Sequence, residues 1–294
     1  MKIAVVGAGK WGLALAHAYS YKNEVSITSR HKRELPNFIS INEALDYDYI
    51  IMAIPTQYVR EFMTKHFTNR GQKLLIAAKG VEVGSGKFLN QIYSDFVTNN
   101  QLAFLSGPSF AAEVMQSLPA ALVVSSTNLE LAKTFANAMP SFIKAYVDSD
   151  VVGAEVAGAY KNIIAIAAGV CDGLELGNNA RAALIARGLV EMTRFGENFG
   201  AKKDTFLSLG GAGDLFLTAS SNLSRNYRVG FGLAKGKSLK EILEELGEVA
   251  EGVATTKAVM QIAKKEDIYL PIANEVNLLL DGKEPNESLR DLLK

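Results

Sequence analysis

Lys161 is the most informative of the residues in this sequence that could move a proton. It lies in Val156–Val170, a stretch otherwise dominated by Ala, Ile, Gly and Val. A lysine inside such a helix must snorkel, pair with an anion or face a polar cavity. Partial burial would ease release of its proton and suit acid–base work; on periodicity alone, a paired or snorkelling structural lysine is the stronger reading. Asn162 beside it could orient a ligand or bond to backbone. Ser208–Thr218 reads SLGGAGDLFLT, a flexible glycine turn before Asp214, which could cap a helix or bond a hydroxyl. Ser224-Arg225-Asn226 offers a planar guanidinium fork and two neutral hydrogen-bonding groups, a set suited to an oxyanion, although an isolated tripeptide of this kind is more often a solvated loop. Lys79 and Gly107-Pro108-Ser109 each follow an apolar run, where strand ends line the ligand crevice of an open α/β sheet. Ser109 could equally be the N-cap of a helix over Phe110–Met115.

A second kind of chemistry sits at the N-terminus. Gly7-Ala8-Gly9-Lys10-Trp11-Gly12 matches G-x-G-x-x-G, follows the apolar run Ile3–Val6 and opens the helical pattern Trp11–Tyr21. In that setting the three glycines permit a tight turn, close backbone approach to a pyrophosphate and close packing of helix on strand. The helix start adds N–H groups and partial positive charge. A carboxylate about 20 residues further on would hold the ribose of NAD. Here the region reads Ser29-Arg30-His31-Lys32-Arg33, with no acid before Glu34. Cations there suit a 2′-phosphate, so the expectation leans towards NADP, with NAD still admitted.

The elements that would position these groups fall into two textures. Short β-rich runs at Ile3–Val6, Glu24–Thr28, Tyr49–Ile54, Lys73–Ala78, Leu102–Leu105 and Ala120–Ser125 alternate with helical stretches, which predicts a doubly wound parallel sheet. Beyond about residue 150 the segments 151–171, 179–200, 229–234, 238–246, 252–266 and 270–281 have helical character. The expected fold class is therefore α/β, with a dinucleotide-binding domain over residues 1–150 and an all-α substrate and catalytic domain over residues 151–294.

Composition excludes several functions. The chain has 294 residues, with 31 Lys plus Arg against 31 Asp plus Glu, so no basic excess marks a nucleic-acid partner. The apolar stretch Val151–Val170 carries Glu155 and Lys161, both costly at bilayer depth, and no membrane insertion is expected. A single cysteine, Cys171, rules out an intramolecular disulfide and suits a reducing compartment, so the expected location is the cytoplasm. The N-terminal apolar run is too short to read as an export signal. His17, His31 and His66 lack ligand spacing, and no metal site is expected.

Taken together, the motifs resemble those of bacterial NAD(P)-dependent sn-glycerol-3-phosphate dehydrogenases. The resemblance rests on Gly7–Gly12, Ala78-Lys79-Gly80, Gly107-Pro108-Ser109-Phe110-Ala111, Tyr160-Lys161-Asn162-Ile163, Asn179 through Gly188, Gly210–Thr218, Ser224-Arg225-Asn226 and Glu251-Gly252. These span nearly the whole chain. It implies an N-terminal Rossmann domain, a C-terminal helical domain, and reversible reduction of dihydroxyacetone phosphate to glycerol 3-phosphate for glycerophospholipid synthesis. By this resemblance Lys161 is the proton donor and acceptor. Lys79, Gly107, Ser109, Asp214, Ser224, Arg225 and Asn226 face the substrate. Lys10, Trp11, Arg30, Lys79, Ala111, Arg225, Val249 and Glu251 face the cofactor, with Gly7, Gly9 and Gly12. The family's usual GLAGLGDL stands here as SLGGAGDL, with Asp214 kept.

Two other readings belong beside it. A reductase of the β-hydroxyacid or ketopantoate type would take a carboxylate in place of a phosphate. A nucleotide-sensing protein without turnover would need the glycine turn but not Lys161, Asp214 and Ser224-Arg225-Asn226 together. The expected partner is a small molecule, and a homodimer is compatible with the sequence.

Overall fold

The computed structural model describes residues 1–292. The chain forms two compact units that interleave in sequence. The first holds Met1–Lys79 and Leu89–Glu155; the second holds Gly80–Phe88 and the residues from Val156 onward.

The first unit is a seven-stranded sheet in the order β2-β1-β3-β4-β5-β6-β7. The strands are β1 (Lys2–Val6), β2 (Glu24–Thr28), β3 (Tyr49–Met52), β4 (Lys73–Ile76), β5 (Leu102–Ser106), β6 (Ala120–Ser125) and β7 (Ile143–Asp148). Residue alternation assigns the faces. Ile3, Val5, Ile51, Leu75 and Ala103 pack with Ala14, Leu15, Leu131 and Phe135 on one side. Ala4, Val6, Ile50, Met52 and Leu74 pack with Val59, Met63 and Ile92 on the other. Helices thus cover both faces, which is why the strands read as almost unbroken apolar runs.

Strands β1 to β5 are mutually parallel, and β1 lies between β2 and β3, where the winding reverses. The expectation of an all-parallel sheet is corrected at β6, which runs antiparallel to β5. The link between them contains only the helix Ala111–Met115. That is about 7.5 Å of helix, too little to retrace a strand of about 20 Å and re-enter parallel. The nine-residue helix Leu129–Asn137 then returns the chain to β7, parallel to β6. β7 is also absent from the sequence reading.

The second unit is helical among its described residues apart from connecting loops and the segment Gly80–Phe88, where Val81 and Phe88 form an isolated antiparallel bridge. Its central helix, Val151–Gly173, begins in the first unit and is apolar on most faces. It is long and apolar enough to cross a membrane, yet nearly all of its most apolar stretch is buried within the protein. Asp150 Oδ1 caps its start by accepting the Gly153 N–H at 2.9 Å. The helices Gly177–Glu197 and Arg225–Ala234 approach it closely, at Ile164 and Ile166 respectively.

Candidate functional site

The first group of expected residues gathers at one edge of the sheet. Parallel strands end on the same side, so β1, β2, β4 and β5 deliver the glycine turn, Ser29–Arg33, Lys79 and Gly107–Ser109 to that edge. The turn follows β1 at the reversal of winding, where open α/β sheets bind ligands. Gly7 has φ +115°, and a Cβ there would press on the carbonyl of Ala53; a Cβ on Gly12 would overlap the carbonyl of Gly7. Both positions therefore require glycine.

The helix Lys10–Ser20 starts from Gly9, which supplies no side chain to cap it. A Cβ on Gly9 would meet nothing within 4 Å, so the space before this helix start is open. An uncapped helix start facing open space, at the switch point of the sheet, fits a dinucleotide pyrophosphate. Arg33 bonds the turn directly, its Nη1 donating to the Ala8 carbonyl at 2.9 Å. Arg30 is exposed and its Nε lies 3.3 Å from His31 Nε2. Trp11 donates through Nε1 to the Ala77 carbonyl at 3.2 Å, which ties the first helix to the end of β4 just before Lys79. The capping role weighed for Ser109 is corrected: Phe110 is the N-cap, and Ser109 Oγ donates to the Gly107 carbonyl at 3.1 Å. Ala111 is the first residue of that helix.

The second group lies in the helical unit. Lys161 is 7% exposed and Asp214 1%. Lys161 Nζ donates to Asp214 Oδ1 and, at 3.0 Å, to Thr218 Oγ1. Thr218 in turn donates to the Asp214 main-chain carbonyl at 2.7 Å. Asp214 is thus a buried partner of the lysine and not a cap; Gly213 occupies the N-cap position of the helix Asp214–Ala219. The flexible turn read at Gly210, Gly211 and Gly213 is corrected too, because Leu209–Gly213 coils as a π-type turn leading straight into that helix.

Thr218 was missed from sequence. Its signal was present, since it stands four residues after Asp214 and so on the same helix face.

The tripeptide Ser224-Arg225-Asn226 is a helix start, and the solvated-loop reading is corrected. Ser224 Oγ caps the helix Arg225–Ala234 by accepting the Tyr227 N–H at 3.2 Å. Asn226 is buried, and its Oδ1 accepts the Gly252 N–H at 2.9 Å. Gly252 is the second residue of the helix Glu251–Glu266. Two helix starts therefore meet at Asn226, and both bring positive partial charge. Arg225 is half exposed, with a long 3.5 Å ion pair to Glu248 that an incoming anion could replace. Asn162 donates to the Gly158 carbonyl at 3.3 Å, and its own main-chain oxygen faces Gly252. Lys161-Asn162, Arg225-Asn226 and Glu251-Gly252 are in this way brought to one neighbourhood of the unit. Val249 is exposed and lines an open groove with Val83, Leu243, Val253 and Lys257.

Tyr160, next to Lys161 in sequence, belongs to a second buried network. The Tyr160 hydroxyl donates to Glu191 Oε1 at 2.7 Å, and Glu191 also accepts the N–H groups of Ile272 and Ala273 at 2.9 and 2.8 Å. Burial pushes the Glu191 carboxyl up while these bonds pull it down. Burial and Glu191 together hold the Tyr160 phenol far above its ordinary range, so it remains a donor.

Two family models match the chain: the NAD-dependent glycerol-3-phosphate dehydrogenase N-terminus over residues 32–132 and the C-terminus of the same family over residues 150–290. The glycerol-3-phosphate dehydrogenase [NAD(P)+] of Sulfurimonas denitrificans is 60% identical over 292 residues, covering 99% of each chain. That of Nitratiruptor is 59% identical, covering all of this chain and 98% of its own. The crystal structure of glycerol-3-phosphate dehydrogenase from Coxiella burnetii superposes with a TM-score of 0.92 at 31% identity, covering 100% of this chain and 98% of its own.

Proposed function

The chain belongs to the NAD-dependent glycerol-3-phosphate dehydrogenase family, and from that premise we propose how its own residues reduce dihydroxyacetone phosphate to sn-glycerol 3-phosphate with NAD(P)H, and reverse the step. The first unit is the dinucleotide-binding domain. Its glycine turn, with Lys10, Trp11, Arg30, Lys79 and Ala111, takes the cofactor. The helical unit is the catalytic domain, and Arg225, Val249 and Glu251 add cofactor contacts from it. When bound, the nicotinamide supplies hydride to the ketone carbon, or accepts it from the alcohol.

The residues of the chain do the rest. Arg225 and Asn226, at two joined helix starts, grip the substrate phosphate, with Ser224 fixing the turn that presents them. Binding energy collected at this remote charged group orients the ketone. Lys79, Gly107 and Ser109 contact the substrate from the sheet edge. The Lys161 ammonium polarises the carbonyl oxygen and transfers its proton there as the ketone is reduced; in the oxidative direction the neutral amine takes that proton back. Asp214 and Thr218 hold Nζ in place for both steps. The observation that carries this reading is the buried Lys161, whose Nζ donates to Asp214 and Thr218.

The product class suits the supply of glycerophospholipid backbones, and the lone buried Cys171 suits the cytoplasm. The test is loss of reduced-nicotinamide absorbance with dihydroxyacetone phosphate, using ketopantoate as the carboxylate control. Turnover on the phosphate substrate is expected; turnover on ketopantoate alone, or cofactor binding without turnover, overturns the reading.

A further inference from the structure

Gly252 carries no reactive group, yet its surroundings give it a specific task. Its N–H donates to Asn226 Oδ1 at 2.9 Å, deep in the helical unit. A Cβ on Gly252 would stand 2.7 Å from that same oxygen, 3.0 Å from the Asn162 main-chain oxygen and 3.0 Å from Ile166 Cδ1. Such contacts require displacement, and two of the three atoms lie beside residues of the candidate site. Gly252 is helical, so glycine is needed here for space and not for backbone conformation.

The consequence falls on the far end of the Asn226 carboxamide. An amide has one acceptor end and one donor end. With Oδ1 committed to the Gly252 N–H, the other end is the NH2 group. Turning the amide over would set its NH2 against the Gly252 N–H, donor against donor. The backbone thus decides which end Asn226 offers, and the end it offers can only donate.

We propose that Gly252 is a positioning residue that determines specificity: its N–H fixes the Asn226 carboxamide so that NH2 faces the ligand, making the pocket one for a dianionic phosphoryl group. This rests on the reading that Arg225 and Asn226 hold the substrate phosphate. The helix starts at Arg225 and Glu251 reinforce it with positive partial charge.

The experiment compares Gly252→Ala, Asn226→Ala and Asn226→Asp. The readouts are KM for dihydroxyacetone phosphate, kcat, the inhibition constant of inorganic phosphate, and Tm. A hydrogen bond to a charged group is worth about 10- to 100-fold in binding. Gly252→Ala is expected to raise KM and the phosphate inhibition constant together by about that factor, with kcat much less affected. In Asn226→Asp one oxygen can keep the Gly252 bond while the other sets a negative charge where NH2 stood. It should therefore weaken phosphate inhibition more than Asn226→Ala does.

If Asn226→Ala leaves both constants unchanged, the phosphate reading itself fails. If Asn226→Ala raises them while Gly252→Ala lowers only Tm, the reading stands and the orientation proposal is overturned. Should Gly252→Ala not fold, the aspartate comparison decides: phosphate inhibition no weaker in Asn226→Asp than in Asn226→Ala overturns the proposal.

Discussion

Lys161 and Asp214, 53 residues apart in sequence, form an ion pair whose side chains are 9% and 2% exposed. Charges so fully withdrawn from water are costly unless each answers the other. Replacing Lys161 therefore has two separable effects. Lys161→Ala should reduce kcat by about two to four orders of magnitude, as expected for loss of a general acid. It should also destabilise the fold by about 3–5 kcal/mol, because the buried Asp214 carboxylate loses its ammonium countercharge. Restoring neutrality with Asp214→Asn in the same chain should recover much of the stability and none of the rate. Steady-state kinetics with thermal melts measure both, and near-native turnover of Lys161→Ala would exclude the proton-transfer role.

Arg225 should act on the substrate's charged end. Arg225→Ala is expected to raise KM for dihydroxyacetone phosphate about 10- to 100-fold, the range for losing a charge-assisted hydrogen bond. Its existing 3.5 Å pair with Glu248 is half exposed and contributes little, so Tm should hardly change. An unaltered kcat/KM would count against a phosphate clamp.

Cofactor choice should depend on the basic segment after β2. Arg30 is exposed there, while Arg33 is engaged with the glycine turn through Ala8. We expect NADPH to be used in preference to NADH. Arg30→Ala should weaken NADPH more than NADH, by about tenfold for one lost phosphate contact. Parallel titrations of the two nucleotides check this, and equal losses for both would remove the 2′-phosphate role.

Glu155 gives the fold a pH dependence of its own. One oxygen accepts the Asn90 N–H at 2.9 Å, and the other is buried without a hydrogen-bond partner. Burial pushes this carboxyl up to about 8, against the pull of the Asn90 and Leu89 N–H groups. A carboxyl raised in the folded state stabilises the protein where it is protonated. That contribution is full below the ordinary carboxyl range and is lost as pH rises towards 8. Glu155→Gln should flatten the fall in stability between about pH 5 and pH 8. Denaturant melts at both ends of that window measure it; an undiminished slope would mean another group is responsible.

Glu191 should matter for stability more than its lack of contact with the site residues suggests. Glu191→Ala removes three hydrogen bonds and leaves the Tyr160 hydroxyl and two N–H groups buried, at a cost of about 1–3 kcal/mol for each stranded group. Tyr160→Phe should cost less, since Glu191 keeps both backbone donors. Equal melting losses for the two variants would contradict that arrangement.

The sequence was most readable where one local signal sufficed. The first strand, the glycine turn and its helix declare themselves because each glycine answers a local steric demand. The capping box of Ser238 with Glu241 marks a helix start in the same way. β7 gave no such signal, because most of its residues are partly or fully exposed and its run IKAYVD is not continuously apolar. The reversed direction of β6 depends on the length of the preceding link and not on β6 itself. Lys161 was recognisable as an anomaly in an apolar helix, but its partner was not, because no local spacing connects residues 161 and 214. The join between Asn226 and Gly252 was hidden for the same reason.

The interleaving of the two units has a consequence for how the chain must be made. Phe88 sits edge-on against Phe199 and tilted against Phe195, so a wall of the helical unit is supplied by residues translated long before the rest of it. A gene fragment beginning at residue 151 would encode a body lacking nine of its own residues, with an unfilled aromatic socket in their place. During synthesis this early nine-residue loop can meet its aromatic partners only after the helix Gly177–Glu197 and the turn that follows it have been made.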